Sequence, residues 1–327
     1  MRRAPEFWRR SGVASSLLAP VAALYGAIAQ RRLQRPAPRA ALPTIVVGGL
    51  TSGGDGKTPL TMALATRLLA LGARPALLTR GYGRILHHAA PVLVDPAHHD
   101  TRHVGDEALL LARIAPTLVC ADRRLSARRA IEIGATVLVL DDGFHSRTLA
   151  PDLTFLAIDS DYGAGNGACL PAGPLRAPLQ AQLAMADALA MIGDGAVGEI
   201  CARNFDKKVL TARLVPDTTH AQKLAGARIV AFAGIARPEK FFRLLHDIGA
   251  QVVATRAFPD HHLFTPRDIA ELRTLAQAHD AQLLTTEKDA TRLDGIDSLP
   301  VSLQFDDIQT LDALLAEVLT TRVRQDG

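Results

Sequence analysis

The chain of 327 residues is long enough for two domains. Hydrophobic residues make up 48% of it and charged residues 21%, which is typical of globular cores and not of a disordered chain. The three cysteines lie far apart without CxxC spacing, which argues against a zinc site or a disulfide framework. Residues 1–39 carry eight arginines and one acid, a charge of +7, so the net +4 leaves −3 for the remaining chain. This distribution favours anionic lipid over nucleic acid as a partner.

An uncharged segment of 20 residues, from Ser11 to Gln30, lies between two arginine pairs. Its length is about that of a membrane-spanning helix. Its bulky residues recur at helical spacing on one face, opposite a face of small residues. The bulky residues are Val13, Leu17, Val21, Leu24, Tyr25 and Ile28. We therefore predict that residues 1–35 form a membrane-associated helix. A signal peptide and a helix packed on the body are the alternatives.

Apolar β-type runs alternate with helical stretches along the rest of the chain. One series of runs begins at residues 44, 75, 116, 136, 154 and 188, and a second at 208, 228, 251, 282 and 300. Near-continuous apolar strands separated by helices predict mostly parallel sheets covered on both faces. We expect an α/β fold with one domain at residues 36–205. A second, smaller α/β domain at residues 206–327 is expected to close over the active site.

A glycine-rich turn follows the first apolar run and leads through Gly56-Lys57-Thr58 into a helix. Glycines let backbone N–H groups approach phosphate, Lys57 reaches the β and γ oxygens, and the Thr58 hydroxyl can bind Mg²⁺. Thr51 departs from the GxxxxGK[ST] pattern, which has glycine there. This predicts a P-loop NTPase-type domain that uses ATP and Mg²⁺; a chance glycine loop is the alternative. The predicted nucleotide-binding residues are Thr51, Ser52, Gly53, Gly54, Asp55, Gly56, Lys57 and Thr58.

Two carboxylates, Asp141 and Asp142, end the apolar run VLVL. The carboxyl end of a strand is where the aspartate of a P-loop protein approaches Mg²⁺. We therefore predict a metal site formed by Asp141, Asp142 and Thr58. A plain strand-to-loop turn is the alternative, because Asp-Asp-Gly is also favourable turn chemistry.

A phosphoryl-transfer enzyme also has to position its acceptor hydroxyl. Asp106 opens a helix and fits equally well as its N-cap. His261 belongs to a histidine pair after a strand, and such pairs are more often structural or exposed. Three loop arginines are candidates for binding substrate phosphate. They are Arg80, Arg84 and Arg176.

Together these motifs resemble the tetraacyldisaccharide 4′-kinase family, the lipid A 4′-kinases of Gram-negative bacteria. The resemblance covers nearly the whole chain. It rests on GGLTSGGDGKTP, LTRGYGR, VGDEA, VLDDGFH, LPAGPLR, GIARPEKFF, FPDHH and LTTEKDATRL.

The resemblance implies transfer of phosphate from ATP, with Mg²⁺, to the 4′-hydroxyl of an acylated glucosamine disaccharide 1-phosphate. It implies that Asp106 acts with His261 on the acceptor hydroxyl, that Asp141 and Asp142 serve the metal, and that Lys57 is catalytic. It also implies a location on the cytoplasmic face of the inner membrane. The charge distribution predicts no nucleic-acid partner.

Several positions depart from the family's pattern. Gly49 replaces an asparagine, Asp55 adds a charge to the phosphate loop, His145-Ser146 replaces Gln-His, and Ala177 replaces a glutamate. Two other functions remain open. One is a P-loop kinase for a different lipid or small molecule, and the other is a membrane-tethered ATPase switch that would not need Asp106 or His261.

Overall fold

The computed structural model describes residues 5–86, 89–203 and 205–321. Residues 1–4 and 322–327 of the predicted first and last segments therefore lie outside it. The strands are β1 (Thr44–Gly49), β2 (Pro75–Thr79), β3 (Val92–Leu93), β4 (Thr117–Val119), β5 (Val137–Leu140), β6 (Leu153–Asp159), β7 (Ala188–Ile192), β8 (Lys208–Pro216), β9 (Arg228–Ala233), β10 (Gln251–Ala257), β11 (Gln282–Thr286), β12 (Asp297–Leu299) and β13 (Val301–Phe305).

The helices connect these strands or flank the two sheets. They are α1 (Val13–Leu33), α2 (Lys57–Ala70), α3 (Thr101–Val104), α4 (Asp106–Ala112), α5 (Arg123–Glu132), α6 (Leu179–Met185), α7 (Val197–Ala202), α8 (Thr218–Leu224), α9 (Pro238–Asp247), α10 (Pro266–Ala278), α11 (Glu287–Ala290) and α12 (Ile308–Thr321). Short 3₁₀ turns occur at Glu6–Trp8 and Phe144–Ser146. All the predicted apolar runs form strands, so the predicted α/β class is confirmed.

The larger sheet has nine strands in the order β13-β8-β7-β6-β1-β5-β2-β4-β3. Its pairings are parallel except at the two ends, where β13 and β3 run antiparallel to their neighbours. β1 pairs with β5 on one side and β6 on the other, where the strand order reverses. Such a reversal opens a crevice at the carboxyl ends of the strands. The glycine-rich loop follows β1 into this crevice.

Both faces of the larger sheet are covered. Ile45 and Val47 of β1 face a core that contains Leu64 of α2, whereas Val46 faces a second core that contains Leu33 of α1. Alternate residues of a strand point to opposite faces, so a strand buried on both sides has to be apolar throughout. The continuous apolar run of β1 is explained by this double burial.

The smaller sheet has four parallel strands in the order β10-β9-β11-β12. Its core joins Ile229 and Ala231 of β9 to Phe241 and Leu245 of α9. The segments after β9, β10 and β11 all contact the larger sheet's domain. The carboxyl ends of the two sheets therefore share one cleft of about 2910 Å³.

Sheet membership differs from the predicted division at residues 205 and 206. β8 and β13 both belong to the larger sheet, where they pair antiparallel. Leu311 and Leu315 of α12 are also buried in that sheet's core. The chain thus leaves the larger sheet after β8, forms the smaller one, and returns at β13. Two chain crossings, not one, connect the sheets.

Helix α1 lies on the body through its small residues. Ser15, Ala22 and Gly26 are buried, and a Cβ at Gly26 would lie 3.2 Å from the sulfur of Cys169. The bulky face is exposed, as Leu17 shows with 77% of its surface accessible. The two predicted faces are therefore present. Val13–Leu33 is long and apolar enough to cross a membrane, with 17% of its most apolar stretch buried.

Truncation of a buried α12 side chain should destabilise the larger domain. Leu315 is fully buried, so Leu315→Ala should lower the free energy of unfolding by about 2–5 kcal/mol. Ala313→Ser, at an exposed position of the same helix, should change it by less than about 0.5 kcal/mol. Urea unfolding followed by circular dichroism measures both. Equal unfolding curves for the two variants would show that α12 is not part of this core.

Candidate active site

The phosphate loop is shaped by three glycines in left-handed conformations. Gly53, Gly54 and Gly56 have φ angles of 95°, 77° and 84°, which other residues adopt only with strain. Gly56 is the N-cap of α2, and Lys57 is the first helical residue. The helix N-terminus and the loop N–H groups therefore offer a site for a phosphate chain, with Lys57 beside it.

Asp55 is turned into the loop and is almost fully buried. Its carboxylate accepts hydrogen bonds from the backbone N–H of Thr51 at 2.6 Å and from the Thr51 hydroxyl at 2.5 Å. A Cβ at Gly49 would lie 2.8 Å from the same carboxylate and 3.1 Å from Lys57 Cδ. The departures from the family's pattern at Gly49 and Asp55 are therefore linked, because the Asp55 carboxylate occupies the space that a larger residue at position 49 would need.

The two carboxylates after β5 have different surroundings. Asp141 is buried and accepts a hydrogen bond from Thr61 at 2.9 Å. Burial raises its pKa to about 7, with further contributions from the charges of Glu107 and Asp142. Asp142 forms a bidentate ion pair with Arg176, at 2.5 and 3.2 Å. Burial alone would raise the pKa of Asp142, but Lys57 and Arg176 hold it below its usual range.

These oxygens suit Mg²⁺ bound together with a nucleotide. Mg²⁺ takes one or two carboxylates and leaves its other positions to phosphate and water. Within the described ranges, no group of three or more His, Cys, Asp or Glu side chains is placed to hold a metal. A cation beside Asp141 would offset the cost of burying its charge. Thr58, Asp141 and Asp142 could therefore hold Mg²⁺ once phosphate is present.

Asp106 is the first residue of α4 and not its N-cap, which is Gly105. The interpretation of Asp106 as a simple cap is therefore wrong. Its carboxylate contacts His261 Nδ1 at 2.9 Å and forms a close ion pair with Arg292. Both partners come from the smaller sheet's domain. Burial alone would raise the pKa of Asp106, but His261, Lys288 and Arg292 hold it well below its usual range.

The proton position on His261 follows from its neighbours. Lys288 Nζ lies 3.2 Å from His261 Nε2, and an ammonium group can only donate. Nε2 therefore accepts a hydrogen bond from Lys288, and Nδ1 donates to Asp106. The ring also packs against Tyr82, with centroids 4.8 Å apart. His261 is thus fixed across the cleft, with its Asp106-facing nitrogen protonated.

Comparison with known proteins agrees with this geometry. A model of the family described as tetraacyldisaccharide-1-P 4′-kinase matches residues 14–320. The chain belongs to this family. A tetraacyldisaccharide 4′-kinase of Nitrobacter hamburgensis is 46% identical over 333 residues, covering 98% of each chain. One from Methylobacterium radiotolerans is 47% identical over 319 residues, covering 94% of this chain and 96% of the relative.

The fold is also that of a solved family member. A crystal structure of LpxK from Aquifex aeolicus in complex with ATP superposes with a TM-score of 0.72. It is 26% identical in sequence, and the match covers 93% of this chain and 99% of that one. The overall α/β fold is therefore shared with a solved structure of this 4′-kinase family.

The three predicted substrate arginines have different positions. Arg80 is exposed and lines the cleft, whereas Arg176 lines it but is paired with Asp142. Arg84 does not line the cleft, and its Nη1 is buried without a hydrogen-bond partner within the described ranges. Of the three, Arg80 is the one exposed to an incoming ligand.

Sequence reasoning missed several charged residues of the site. Lys288 and Arg292 contact the Asp106–His261 pair, and Arg237 contacts the phosphate loop. All three lie in the motifs GIARPEKFF or LTTEKDATRL. These motifs indicate the family, but their sequence does not indicate what the three side chains contact. From the sequence, His145 is only a departure from the family's pattern. Burial lowers its pKa to about 4, and its neutral ring donates to the Gly49 carbonyl at 3.2 Å.

Replacement of Asp106 by Asn should cost stability in a pH-dependent way. The folded pKa of Asp106 lies below its unfolded value of 3.8, so its stabilising effect is present above pH 3.8 and is lost as the pH falls below that value. The urea midpoint of Asp106→Asn should therefore lie below that of the wild type at pH 7. The gap should begin to narrow near about pH 4 and should keep narrowing as the pH falls further.

The control for this measurement is Glu132→Gln. Glu132 pairs with Arg129 on the surface, with 60% of its side chain exposed, so its loss should change little at any pH. A gap for Asp106→Asn that stays constant from pH 7 to pH 3 would contradict the assigned ion pairs.

Proposed function

We propose that this protein transfers the γ-phosphoryl group of ATP to the 4′-hydroxyl of tetraacyldisaccharide 1-phosphate, a step of lipid A biosynthesis. The observation that carries the proposal is the buried Asp106–His261 pair, whose histidine lines the same cleft as the phosphate loop. Nucleotide binding alone does not require such a pair, whereas transfer to an alcohol requires a group that positions its hydroxyl.

Residues of the larger sheet's domain bind and position the ATP. Loop N–H groups and Lys57 hold the β- and γ-phosphates, which fixes the phosphoryl group in line with the acceptor. A bound Mg²⁺, held by Thr58, Asp141 and Asp142, would neutralise charge on the transferring group. The Arg176 ion pair keeps the Asp142 carboxylate in one orientation.

The acceptor half depends on both domains. The Asp106 carboxylate accepts the hydrogen bond of the acceptor hydroxyl, and His261 holds that carboxylate in orientation. Because phosphoryl transfer passes through a loose transition state, the hydroxyl proton passes late to the Asp106 carboxylate. It does so as the new O–P bond forms and the bond from the γ-phosphorus to the β-bridging oxygen breaks, which releases ADP. Asp106 is 3% exposed, so bulk water is kept from its carboxylate, which limits ATP hydrolysis without transfer.

The cleft rim suits an anionic lipid. Its lining includes four arginines near α1: Arg9 and Arg10 follow the first 3₁₀ turn, Arg32 is in the last turn of α1, and Arg35 follows that helix. An acceptor with a phosphate group and acyl chains would meet arginines at the rim and the exposed apolar face of α1 beside them. The rim therefore supports a lipid acceptor over a small soluble one.

The docking of α1 also supports an interfacial helix. Its small face contacts the body over much of its length, so crossing the bilayer would carry the body into the hydrocarbon region. With its bulky face in lipid, α1 would instead lie in the interface. We place the protein on the cytoplasmic face of the inner membrane, where ATP is available.

The function is tested by phosphoryl transfer from γ-labelled ATP to tetraacyldisaccharide 1-phosphate in detergent micelles. Wild type should label the lipid. Asp106→Asn should lower kcat by roughly 10²–10⁴-fold with little change in the KM for ATP, because it touches only the acceptor. Lys57→Ala should impair both nucleotide binding and transfer. Asp307→Asn, an exposed helix-capping position outside the cleft lining, is the control and should behave as wild type.

Two results would oppose the proposal. ATP binding without lipid labelling would point to a different acceptor. ATP hydrolysis that is unaffected by Asp106→Asn would favour the ATPase switch.

Membrane association is tested separately by flotation with anionic liposomes. The double variant Leu17→Asp/Leu24→Asp places two charges on the exposed face of α1 and should float much less than the wild type. Ile131→Asp, on the exposed side of α5, is the matched control and should leave flotation unchanged. Equal flotation of all three proteins would rule out the α1 face as the lipid contact.

A further inference from the structure

We propose that Arg237 is a positioning residue of the ATP site: it neutralises Asp55 and holds the outer surface of the phosphate loop. The loop then takes its ATP-binding shape only while the smaller domain is docked on it. This inference rests on the proposed use of ATP. The nucleotide site would then depend on both domains, although Lys57 and the loop N–H groups proposed to hold the phosphates belong to the larger one.

Arg237 reaches the loop from the other sheet. It is the N-cap residue of α9 and follows β9 through the segment 234–236. A Cβ at Gly54 would lie 3.1 Å from Arg237 Nε and 3.2 Å from the Cβ of Ala236. Gly54 is therefore required both by its left-handed conformation and by this close approach. The phosphate loop at Gly54 therefore packs directly against residues 236 and 237.

The Arg237 guanidinium donates to the back of the loop. Its Nη1 lies 3.1 Å from the carbonyl oxygen of Gly54, and its Nη2 lies 3.4 Å from that of Gly53. Nη2 is also 3.4 Å from the Thr51 hydroxyl. In a phosphate loop the N–H groups point inward to the anion, so a cation on the carbonyl side leaves them free. The contacts order the loop without occupying the phosphate site.

Arg237 also compensates the negative charge of Asp55. Asp55 places a buried carboxylate inside a loop that has to bind a triphosphate. Arg237 Nη2 lies 3.4 Å from Asp55 Oδ1, which provides the compensating charge. Without it, the carboxylate would be left buried and unpaired close to the phosphates, which both destabilises the loop and repels the nucleotide.

The guanidinium is itself held in one place. It forms a close ion pair with Asp159 at the end of β6, where Lys240 also contacts that carboxylate at 2.7 Å. Its carbon lies 3.9 Å from the centre of the Tyr162 ring, a stacked cation–π geometry. With 12% of its side chain exposed, Arg237 has little freedom to leave. The phosphate loop therefore contacts a guanidinium group that Asp159 and Tyr162 hold in one position.

If Arg237 only formed a structural ion pair between the domains, its replacement would have different effects from those expected of a positioning residue. A merely structural pair would affect folding, or affect ATP and lipid alike. A residue that sets the charge and shape of the phosphate loop should change the KM for ATP selectively. Its loss should also be relieved by removing the charge that it neutralises.

The experiment is a double-mutant cycle on the full chain with Arg237→Ala, Asp55→Asn and their combination. We expect Arg237→Ala to raise the KM for ATP and the Kd for ATP-Mg²⁺ by about 10-fold or more, with the KM for lipid within about twofold. The double variant should recover a substantial part of the lost ATP affinity. Arg237→Lys, which keeps the charge without the fork, should fall between wild type and Arg237→Ala.

The matched control is Arg243→Ala. Arg243 lies on the same helix and contacts Asp161 at 3.5 Å, but it is 65% exposed and does not reach the loop. Its loss should leave both constants within about twofold of the wild type. Thermal unfolding without nucleotide, run on every variant, identifies any that fail to fold. If Arg237→Ala does not fold, the comparison of Arg237→Lys with wild type decides the question.

Direct calorimetric titration with ATP-Mg²⁺ separates this inference from the proposed function. Wild type that binds ATP without phosphorylating the lipid would overturn the acceptor but not the role of Arg237. Unchanged ATP affinity in folded Arg237→Ala or Arg237→Lys, equal effects on both substrates, or no recovery in the double variant would overturn that role.

Discussion

The architecture depends on carboxylates of the larger domain meeting cations of the smaller one across a shared cleft. At one end Asp106 pairs with Arg292 and accepts a hydrogen bond from the neutral ring of His261, and at the other Asp159 pairs with Arg237. These groups are largely buried, so each needs its partner, and removing one would leave an unpaired charge in a dry site. The closed arrangement of the two sheets is therefore favoured by the same contacts that shape the site.

This constraint ties the two halves of the reaction together. In the proposed reaction, the cluster around Asp106 positions the acceptor hydroxyl, and the cluster around Asp159 holds Arg237 against the phosphate loop. Both need the smaller domain in place, so an open cleft would have neither a positioned acceptor group nor a supported loop. Such a design links binding of both substrates to exclusion of water, which is what a kinase needs to avoid hydrolysing ATP.

Local patterns were sufficient to predict much of the fold and part of the site. The strands, the phosphate loop and the carboxylates after β5 each have a signal within a few residues. Membership of β8, β13 and α12 in the larger sheet could not be predicted, because it depends on pairing between segments far apart in the chain. The short strands β3 and β12 carry too few residues for a pattern. The pairing of Asp55 with Arg237 spans 182 residues, so Asp55 looked like an unexplained charge.

The most direct test of the account is a crystal structure of the chain with Mg²⁺ and a non-hydrolysable ATP analogue. The account predicts that the terminal phosphate lies between Lys57 and the Asp106–His261 pair. The gap from its phosphorus to the Asp106 carboxylate should admit one hydroxyl group, roughly 6 Å. Arg237 should remain on the carbonyl side of the loop. A terminal phosphate directed away from Asp106 with the cleft closed would contradict the account, because the acceptor group and the nucleotide would then not share a site.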